Sequence, residues 1–303
     1  MTVIRERLGF ADAVIILAIG LLSLSIVYPF WNIFSVSISN PEAIARGDVM
    51  LFPIDPRFDV YGAVLSNPRI YRAYFNTILY TVTSSALTLL IGSITAYPLS
   101  LAGFQGRKYV TILLVVSLFV MPGLIPTYLL IISLGLRDTM WSFVLPAAFN
   151  VWYIVIIRTN FQTIPDALLE SARLDGANDL TVLTRIVLPV SKAILATIGM
   201  FAAVHMWGLF FEPMLYLVDE KKLPLSIVLR NVLVRDTVGL LFGSHGGERE
   251  FFDSDWLGDS SLRGLIVAIK MATIIVTIGP IMLVYPFAQR YFLQGPLIGS
   301  IKG

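Results

Sequence analysis

The sequence contains no cysteine and only two histidines. The absence of cysteine excludes disulfides, thiolate metal ligands and a cysteine nucleophile, and two histidines are too few to predict a histidine metal site. The chain also lacks the Gly-x-x-x-x-Gly-Lys-Ser/Thr spacing of a phosphate-binding loop, which the basic turn at residues 103–108 does not supply. We therefore expect no metal or cofactor in this chain, no nucleophile–base set of an enzyme, and any nucleotide site on another chain.

Charged residues are scarce. They make up 14% of the chain, whereas soluble domains carry about 25%. Hydrophobic residues make up 56%, and the mean hydropathy is +0.80. The net charge of +2 is too small to indicate binding to nucleic acid. This composition predicts a polytopic, multi-pass protein of the lipid bilayer, folded as one transmembrane domain over residues 1–303 with a core at about 72–290.

Long apolar runs predict an all-α membrane protein with six transmembrane helices. The predicted spans are residues 14–34, 73–98, 109–134, 141–157, 190–216 and 262–287. The first run is too long for a signal peptide. A count of all charges does not settle the orientation, but the basic residues of the short loops agree with cytoplasmic N- and C-termini. Pro122 and Pro126 break the third span. Residues 40–70 predict a structured loop, and residues 223–230 an interfacial helix.

The second span carries a polar stripe at helical spacing. It consists of Asn76, Thr77, Tyr80, Thr81, Ser84 and Thr88. Hydroxyl and amide side chains within a span usually mediate contacts between helices, and a lining of the transport path is the alternative.

Residues 163–189 form the most polar segment between two spans, and they predict a helix, a turn and a second helix. Thr163 is placed to cap the first helix, and Pro165 lies just inside its start. Gly176 lies where a helix end requires a left-handed residue, and Asn178 or Asp179 is placed to cap the second helix. Pro189 then begins the fifth span. A segment this charged must face water or a partner protein.

This segment resembles the EAA loop of permease subunits of binding-protein-dependent ABC importers. The family pattern is Glu-Ala-Ala, three residues, Gly, nine residues, Ile-x-Leu-Pro. The positions that match are Glu170, Ala172, Gly176, Ile186, Leu188 and Pro189. Ser171 replaces the middle alanine of the pattern, and Asp175-Gly176-Ala177 is typical of the carbohydrate branch.

The C-terminal residues strengthen the resemblance. Residues 287–303 are similar to the end of maltose-type sugar permeases, and residues 262–287 are similar to a sub-branch linked to alginate, aldouronate and other complex oligosaccharides. The resemblance implies the MetI-like fold of an ABC type I importer permease with a cytoplasmic coupling helix. It also implies a place in the bacterial cytoplasmic (inner) membrane and transport of an oligosaccharide by alternating access.

The resemblance also implies partners and coupling residues. The partners are a second permease subunit, two ATP-binding cassette ATPase subunits that carry ATP and Mg, and an extracytoplasmic solute-binding protein. The expected ATPase-coupling residues are Glu170, Ala172, Arg173, Asp175, Gly176 and Ala177. Glu170 and Arg173 are expected to pair with charges of the ATPase, and Leu169 and Ala172 to offer it a small apolar face.

A second set of residues is predicted to line the substrate path, because sugars require aromatic stacking surfaces and hydrogen-bonding groups. The set comprises Asn150, Trp152, Tyr153, His205, Trp207, Glu212 and Lys270. Ionisable groups within a span are costly and therefore indicate function, although packing or an interfacial position is the alternative for each. Other interpretations are an ABC permease for a non-carbohydrate solute, or an ion-coupled secondary transporter. The latter predicts inverted repeats and paired membrane carboxylates, which the sequence does not show.

Overall fold

A computed structural model describes residues 9–120, 122–234 and 260–294, with side chains up to residue 283 in the last range. Within these ranges the chain is helical and contains no strand. The helices are α1 Phe10–Ser37, α2 Pro41–Arg46, α3 Asp59–Ser66, α4 Pro68–Ser100, α5 Arg107–Phe119, α6 Leu124–Ser133, α7 Trp141–Ala148, α8 Val151–Phe161, α9 Asp166–Leu174, α10 Asp179–Val182, α11 Leu188–Val190, α12 Lys192–Gly208, α13 Phe211–Tyr216, α14 Leu225–Val234 and α15 Ser260–Gln294.

Apart from the fifth, the predicted spans correspond to helical segments of the described residues. Four segments are long and apolar enough to cross a membrane, namely Phe10–Ser37, Pro68–Ser100, Trp141–Phe161 and Ser261–Leu283. Two bent pairs raise the number to six if each pair is one span. The first pair is α5 with α6, bent by 117° where Pro122 and Pro126 interrupt the helix. The second pair is Asp179–Val190 with Lys192–Gly208, bent by 83°.

The fifth span differs from its prediction at both ends. Pro189 does not begin it, because α11 ends at Val190 and the long helix α12 starts at Lys192, after the bend. The span also ends at Gly208, not at Tyr216, and residues 211–216 form the separate helix α13. Pro213 explains the second break. A helix running through Pro213 would bring its ring against the carbonyl of Leu209, which is extended here.

The chain divides into two compact units, residues 1–68 with 229–278 and residues 69–228 with 279–303. In the first unit, α1 is exposed over most of its length, whereas Ser35 and Ser37 near its C-terminal end are fully buried. Residues 38–66 fold at this end into α2, α3 and their connections. Helix α15 approaches α2 at Gly264, where an added Cβ would overlap the carbonyl group of Pro41. The predicted structured loop at residues 40–70 is therefore confirmed.

The second unit has two hydrophobic cores. One joins the C-terminal part of α4 to α8, to α12 and to the polar segment between α8 and α12; Ala96, Ile157 and Ile198 are fully buried in it. The other surrounds Phe143, on which Tyr80 packs edge-on with ring centroids 5.2 Å apart. Tyr128 and Tyr216 stack beside this second core, with centroids 5.9 Å apart.

The polar stripe of α4 serves packing at its N-terminal half. Asn76 Nδ2 donates to the carbonyls of Lys221 and Leu223 at 2.8 and 3.1 Å. Tyr80 donates to the Lys222 carbonyl at 2.8 Å, and Thr77 Oγ1 accepts from the Leu225 N–H at 2.8 Å. These bonds hold residues 221–225 against α4. Helix α14 begins at Leu225, which confirms the short helix predicted at residues 223–230.

Asp138 ties the α6–α7 turn to the same segment. Its Oδ1 accepts from the N–H groups of Val218 and Asp219 at 2.9 and 3.0 Å, and its Oδ2 pairs with Lys222 Nζ at 2.6 Å. The Asp219 N–H, then Lys222 and the Val218 N–H, hold the pKa of Asp138 well below its usual range. The backbone of Asp138 is left-handed, with φ 58°, which aspartate tolerates better than most residues.

Some predicted features lie outside the described residues. They are the acidic end of the outer segment, residues 248–259, and the C-terminal motif from residue 295 onward; the side chains of residues 284–294 are likewise not described. The prediction of a single domain over residues 1–303 concerns the whole chain and stays a prediction.

Candidate functional site: the elbow between α8 and α12

The polar segment at residues 163–190, here called the elbow, turns at Gly176. Helix α9 ends in a Schellman motif, in which the Gly176 N–H donates to the Arg173 carbonyl and the Ala177 N–H to the Ala172 carbonyl, both at 3.0 Å. Gly176 has φ 85°, the left-handed backbone that the motif requires and that glycine adopts without strain. The predicted turn is therefore present at the predicted residue.

Of the two helix caps predicted in the elbow, one is confirmed and one is wrong. Asn178 caps α10, because its Oδ1 accepts from the Thr181 N–H at 2.8 Å. Thr163 does not cap α9. Its hydroxyl donates to the Asn160 carbonyl at 2.7 Å, and Pro165, which has no donor or acceptor in its side chain, occupies the cap position before Asp166. Thr163 instead closes the end of α8.

A polar contact joins the two arms of the elbow across the turn. Arg173 Nη2 on α9 lies 3.0 Å from Asp179 Oδ1 on α10. The same carboxylate oxygen accepts from the hydroxyl of Tyr97, on α4, at 3.3 Å. Arg173, predicted to pair with an ATPase, is therefore already paired within its own chain, and the pKa of its guanidinium is raised chiefly by the hydrogen bond to Asp179.

The inner face of the elbow is part of the hydrophobic core. Leu169, Val182 and Leu183 are buried together with residues of α8 and α12, and Ala172 and Ala177 are packed against the same cluster. Leu169 is therefore not available to a partner, contrary to the prediction, whereas Ala172 is half-buried and its coupling role stays a prediction. Leu168 and Leu169 are adjacent in the sequence of α9. Leu169 is buried in the core, whereas Leu168 is exposed.

The outer face is exposed, and it combines carboxylates with leucines. Glu170 and Asp175 are exposed as predicted. The sequence interpretation missed Leu174 and Leu180, whose side chains are 89% and 68% exposed. They flank the turn at the end of α9 and the start of α10. Large apolar side chains exposed beside carboxylates are typical of a surface that binds another protein.

The elbow continues into the fifth span through a π-helical turn and a bend. Residues 183–187 form a π-helical turn, in which the Leu188 N–H bonds to the Leu183 carbonyl. Pro189 follows, and the axis then bends by 83° into α12. Backbone hydrogen bonds from Ser191 to Val187 and from Leu195 to Ser191, at 3.0 and 3.1 Å, bridge the bend. The elbow and α12 are therefore joined through the bend by backbone hydrogen bonds.

The predicted substrate-path residues of the second unit occur at one end of α8 and α12. These helices pack against each other, and the elbow connects the end of α8 to the start of α12. Trp152 and Tyr153 lie in the first turn of α8, and His205 and Trp207 in the last turn of α12, so both pairs lie away from the elbow. Trp152 and His205 are exposed, whereas Tyr153 and Trp207 are half-buried.

Three further predicted path residues have other surroundings. Asn150 caps α8, because its Oδ1 accepts from the Tyr153 N–H at 3.3 Å, a structural role that the sequence interpretation missed. Glu212 lies half-buried in the first turn of α13. Lys270 is half-buried in α15, within the first unit. Their roles in transport stay predictions.

Comparison with known proteins connects the elbow to a family. Residues 88–219, which contain it, match the family described as binding-protein-dependent transport system inner membrane component. The polygalacturonan/rhamnogalacturonan transport system permease protein YtcP of Bacillus subtilis (strain 168) is 35% identical over 277 residues, which cover 91% of this chain and 93% of that protein. Protein LplC of the same organism is 36% identical over 292 residues, which cover 96% and 95%.

A solved structure agrees in fold and in sequence. A chain of a bacterial ABC transporter involved in the import of the acidic polysaccharide alginate has a TM-score of 0.83 and 31% identity to this chain. The match covers 95% of this chain and 99% of the other. The match therefore includes the elbow and the helices around it.

Proposed function

We propose a function from one premise: the chain belongs to the family of inner membrane components of binding-protein-dependent transport systems. It is a permease subunit of an ABC importer, and as such a transport component. We propose that it moves an oligosaccharide through the cytoplasmic membrane by alternating access, with its elbow on the cytoplasmic side and both termini cytoplasmic.

One observation supports this mechanism: one face of the elbow is buried in the core, and the other face is exposed. Its buried residues Leu169 and Val182 pack with residues of α8 and α12, while Leu174 and Leu180 are exposed and would be available to an ATPase subunit. Closure of the ATPase pair on ATP would then displace the elbow and, through the π-helical turn, tilt α12. This chain makes and breaks no bond in that cycle.

The partners follow from the same mechanism. Two ATPase subunits would supply ATP and Mg, a second permease subunit would complete the translocation path, and an extracytoplasmic solute-binding protein would deliver the cargo. Arg173 is held by Asp179, so we assign it to the stiffness of the elbow. We assign the direct contact with the ATPase to Leu174, Leu180 and the exposed carboxylates Glu170 and Asp175.

An acidic oligosaccharide is the cargo that the relatives favour. The solved neighbour imports alginate, and the name of YtcP refers to polygalacturonan and rhamnogalacturonan. Aromatic Trp152 and Trp207 would stack against sugar rings, and Asn150, Tyr153, His205 and Glu212 would bond to hydroxyls. Lys270 is the cationic residue proposed to meet the carboxylates of the sugar.

Uptake into proteoliposomes tests this function. The full chain is reconstituted with its second permease and ATPase subunits, and the solute-binding protein is added outside. We expect oligogalacturonate or oligoalginate to accumulate only with ATP inside, and a neutral oligosaccharide of the same length to accumulate several-fold less. An ionophore that dissipates ion gradients is the control and should leave uptake unchanged. Uptake that continues without ATP and stops with the ionophore would assign the chain to ion-coupled transport instead.

A further inference from the structure

The chain folds back on α1 immediately after this helix ends. Trp31 Nε1 donates to the Leu51 carbonyl at 2.6 Å, and Asn32 Nδ2 donates to the Met50 carbonyl at 2.7 Å. Ser35 Oγ adds a third bond to the Leu51 carbonyl at 3.3 Å. Residues 48–58 are called here the 48–58 loop. These bonds hold its tip, at residues 50–52, beside Trp31, so the tip does not extend beyond the end of α1.

The position of Trp31 along α1 gives the depth of this tip. Helix α1 has 28 residues, and at a rise of about 1.5 Å per residue it is about 42 Å long. A bilayer has a hydrocarbon core of about 30 Å, so a centred α1 leaves about 6 Å of each end outside that core. Trp31 lies about 9 Å before the helix end at Ser37. The tip therefore lies at the boundary between headgroups and acyl chains.

The side chains of the tip are apolar and unusually exposed. Met50 is 69% exposed and Phe52 is 73% exposed. The exposed apolar residues of the loop are Met50, Leu51, Phe52, Ile54 and Phe58. Charged residues flank them on both sides, with the Arg46–Asp48 ion pair at 2.8 Å before the tip. Apolar side chains between charged flanks are suited to a water–lipid interface.

Several backbone groups of the 48–58 loop are bonded within the protein. An irregular loop exposed to lipid must have its polar backbone groups satisfied from within the protein. Side chains of α1 bond to the carbonyls of Met50 and Leu51, as described above. The Ile54 carbonyl accepts from the Asn40 N–H at 2.9 Å, and the Ile54 N–H donates to Ser39 Oγ at 3.1 Å.

We propose that the 48–58 loop is a membrane anchor, whose apolar tip at Met50, Leu51 and Phe52 inserts into lipid at the interface where α1 ends. Lipid is the occupant because the tip is continuous with the exposed face of α1, including Phe30, Trp31 and Phe34. Among the residues that the structure describes, none covers the apolar window of α1 enough to bury any of its side chains. The anchor sets the depth and tilt of α1 independently of the cargo and of the energy source.

Site-directed labelling tests the anchor directly, because the chain has no cysteine of its own. Phe52→Cys is labelled with an environment-sensitive fluorophore in the full chain, purified with its partner subunits and placed in phosphatidylethanolamine/phosphatidylglycerol nanodiscs. We expect blue-shifted emission that is quenched several-fold more by lipid with a nitroxide near the headgroup end of its acyl chain than by a water-soluble quencher. Met50→Cys provides an independent position and should give the same result.

Two labelled positions calibrate the measurement. Leu22→Cys on the exposed middle of α1 should report lipid, and Ala45→Cys on the exposed side of α2 should report water. Emission at residue 52 or 50 like that of residue 45 would overturn the proposal. A label shielded from both quenchers would overturn it too, and would show that a partner protein covers the loop.

Discussion

Replacing Gly176 by proline is expected to abolish stimulation of ATP hydrolysis by the cargo-loaded binding protein, while the chain still inserts into the membrane. Proline fixes φ near −65°, whereas Gly176 has φ 85°, and it removes the N–H that donates to the Arg173 carbonyl at 3.0 Å. Backbone strain of this kind costs about 1–3 kcal/mol, enough to displace the turn. The measurement is ATPase activity of the reconstituted complex with and without the loaded binding protein.

A matched pair of variants separates the elbow from general damage. Gly47 also ends a helix with a left-handed backbone, φ 76°, and with an N–H that bonds to the last turn. Gly47→Pro therefore imposes a similar strain in the other unit, and we expect it to keep the stimulated rate. Gly176→Asn should retain most of the stimulation, because asparagine tolerates this backbone. Stimulation at the original level in Gly176→Pro would show that the turn is not required for coupling.

Replacing Gly264 by alanine is expected to destabilise the first unit strongly. A Cβ at this position would overlap the Pro41 carbonyl group, with the carbonyl carbon at 2.5 Å, so the backbone of α2 or α15 must move. Overpacking costs typically about 1–3 kcal/mol and occasionally more, which exceeds the gain of about 0.5–1 kcal/mol from replacing a helical glycine. The midpoint of thermal unfolding in detergent and the yield of monodisperse protein should both fall.

Gly279→Ala is the control on the same helix. An added Cβ there meets no atom within 4 Å, so only the helix-propensity gain remains, and the unfolding midpoint should stay the same or rise slightly. Equal midpoints for the two alanine variants would contradict the close approach of α15 to α2.

Local residue chemistry made much of the fold predictable from the sequence. The apolar runs predicted the spans. Pro122 and Pro126 predicted the break in the third span, and Gly176 with Asn178 predicted the turn of the elbow. These features depend on backbone rules that act within a few residues. The structure placed the boundaries of the fifth span differently because Pro213 and the bend before Lys192 act through neighbouring carbonyls, which hydropathy does not report.

Contacts between distant residues were not predictable in the same way. The Asp138–Lys222 pair joins residues 84 positions apart, and neither residue carries a motif. The bonds from Trp31 and Asn32 to the 48–58 loop depend on the loop folding back, which no local pattern indicates. In α9, the choice between Leu168 and Leu169 for the core depends on how the helix docks against α8 and α12. An amphipathic pattern alone leaves both leucines available.

Photo-crosslinking from the outer face of the elbow tests the central claim most directly. Leu174→Cys, the only cysteine in the chain, is labelled with a benzophenone maleimide in membranes that contain the assembled complex, and Leu169→Cys at the buried position is the control. We predict that residue 174 captures a subunit carrying a phosphate-binding loop, that the yield changes when ATP is added, and that residue 169 captures none. Capture of no ATPase from residue 174, or its labelling by a membrane-impermeant reagent from outside intact cells, would contradict the account.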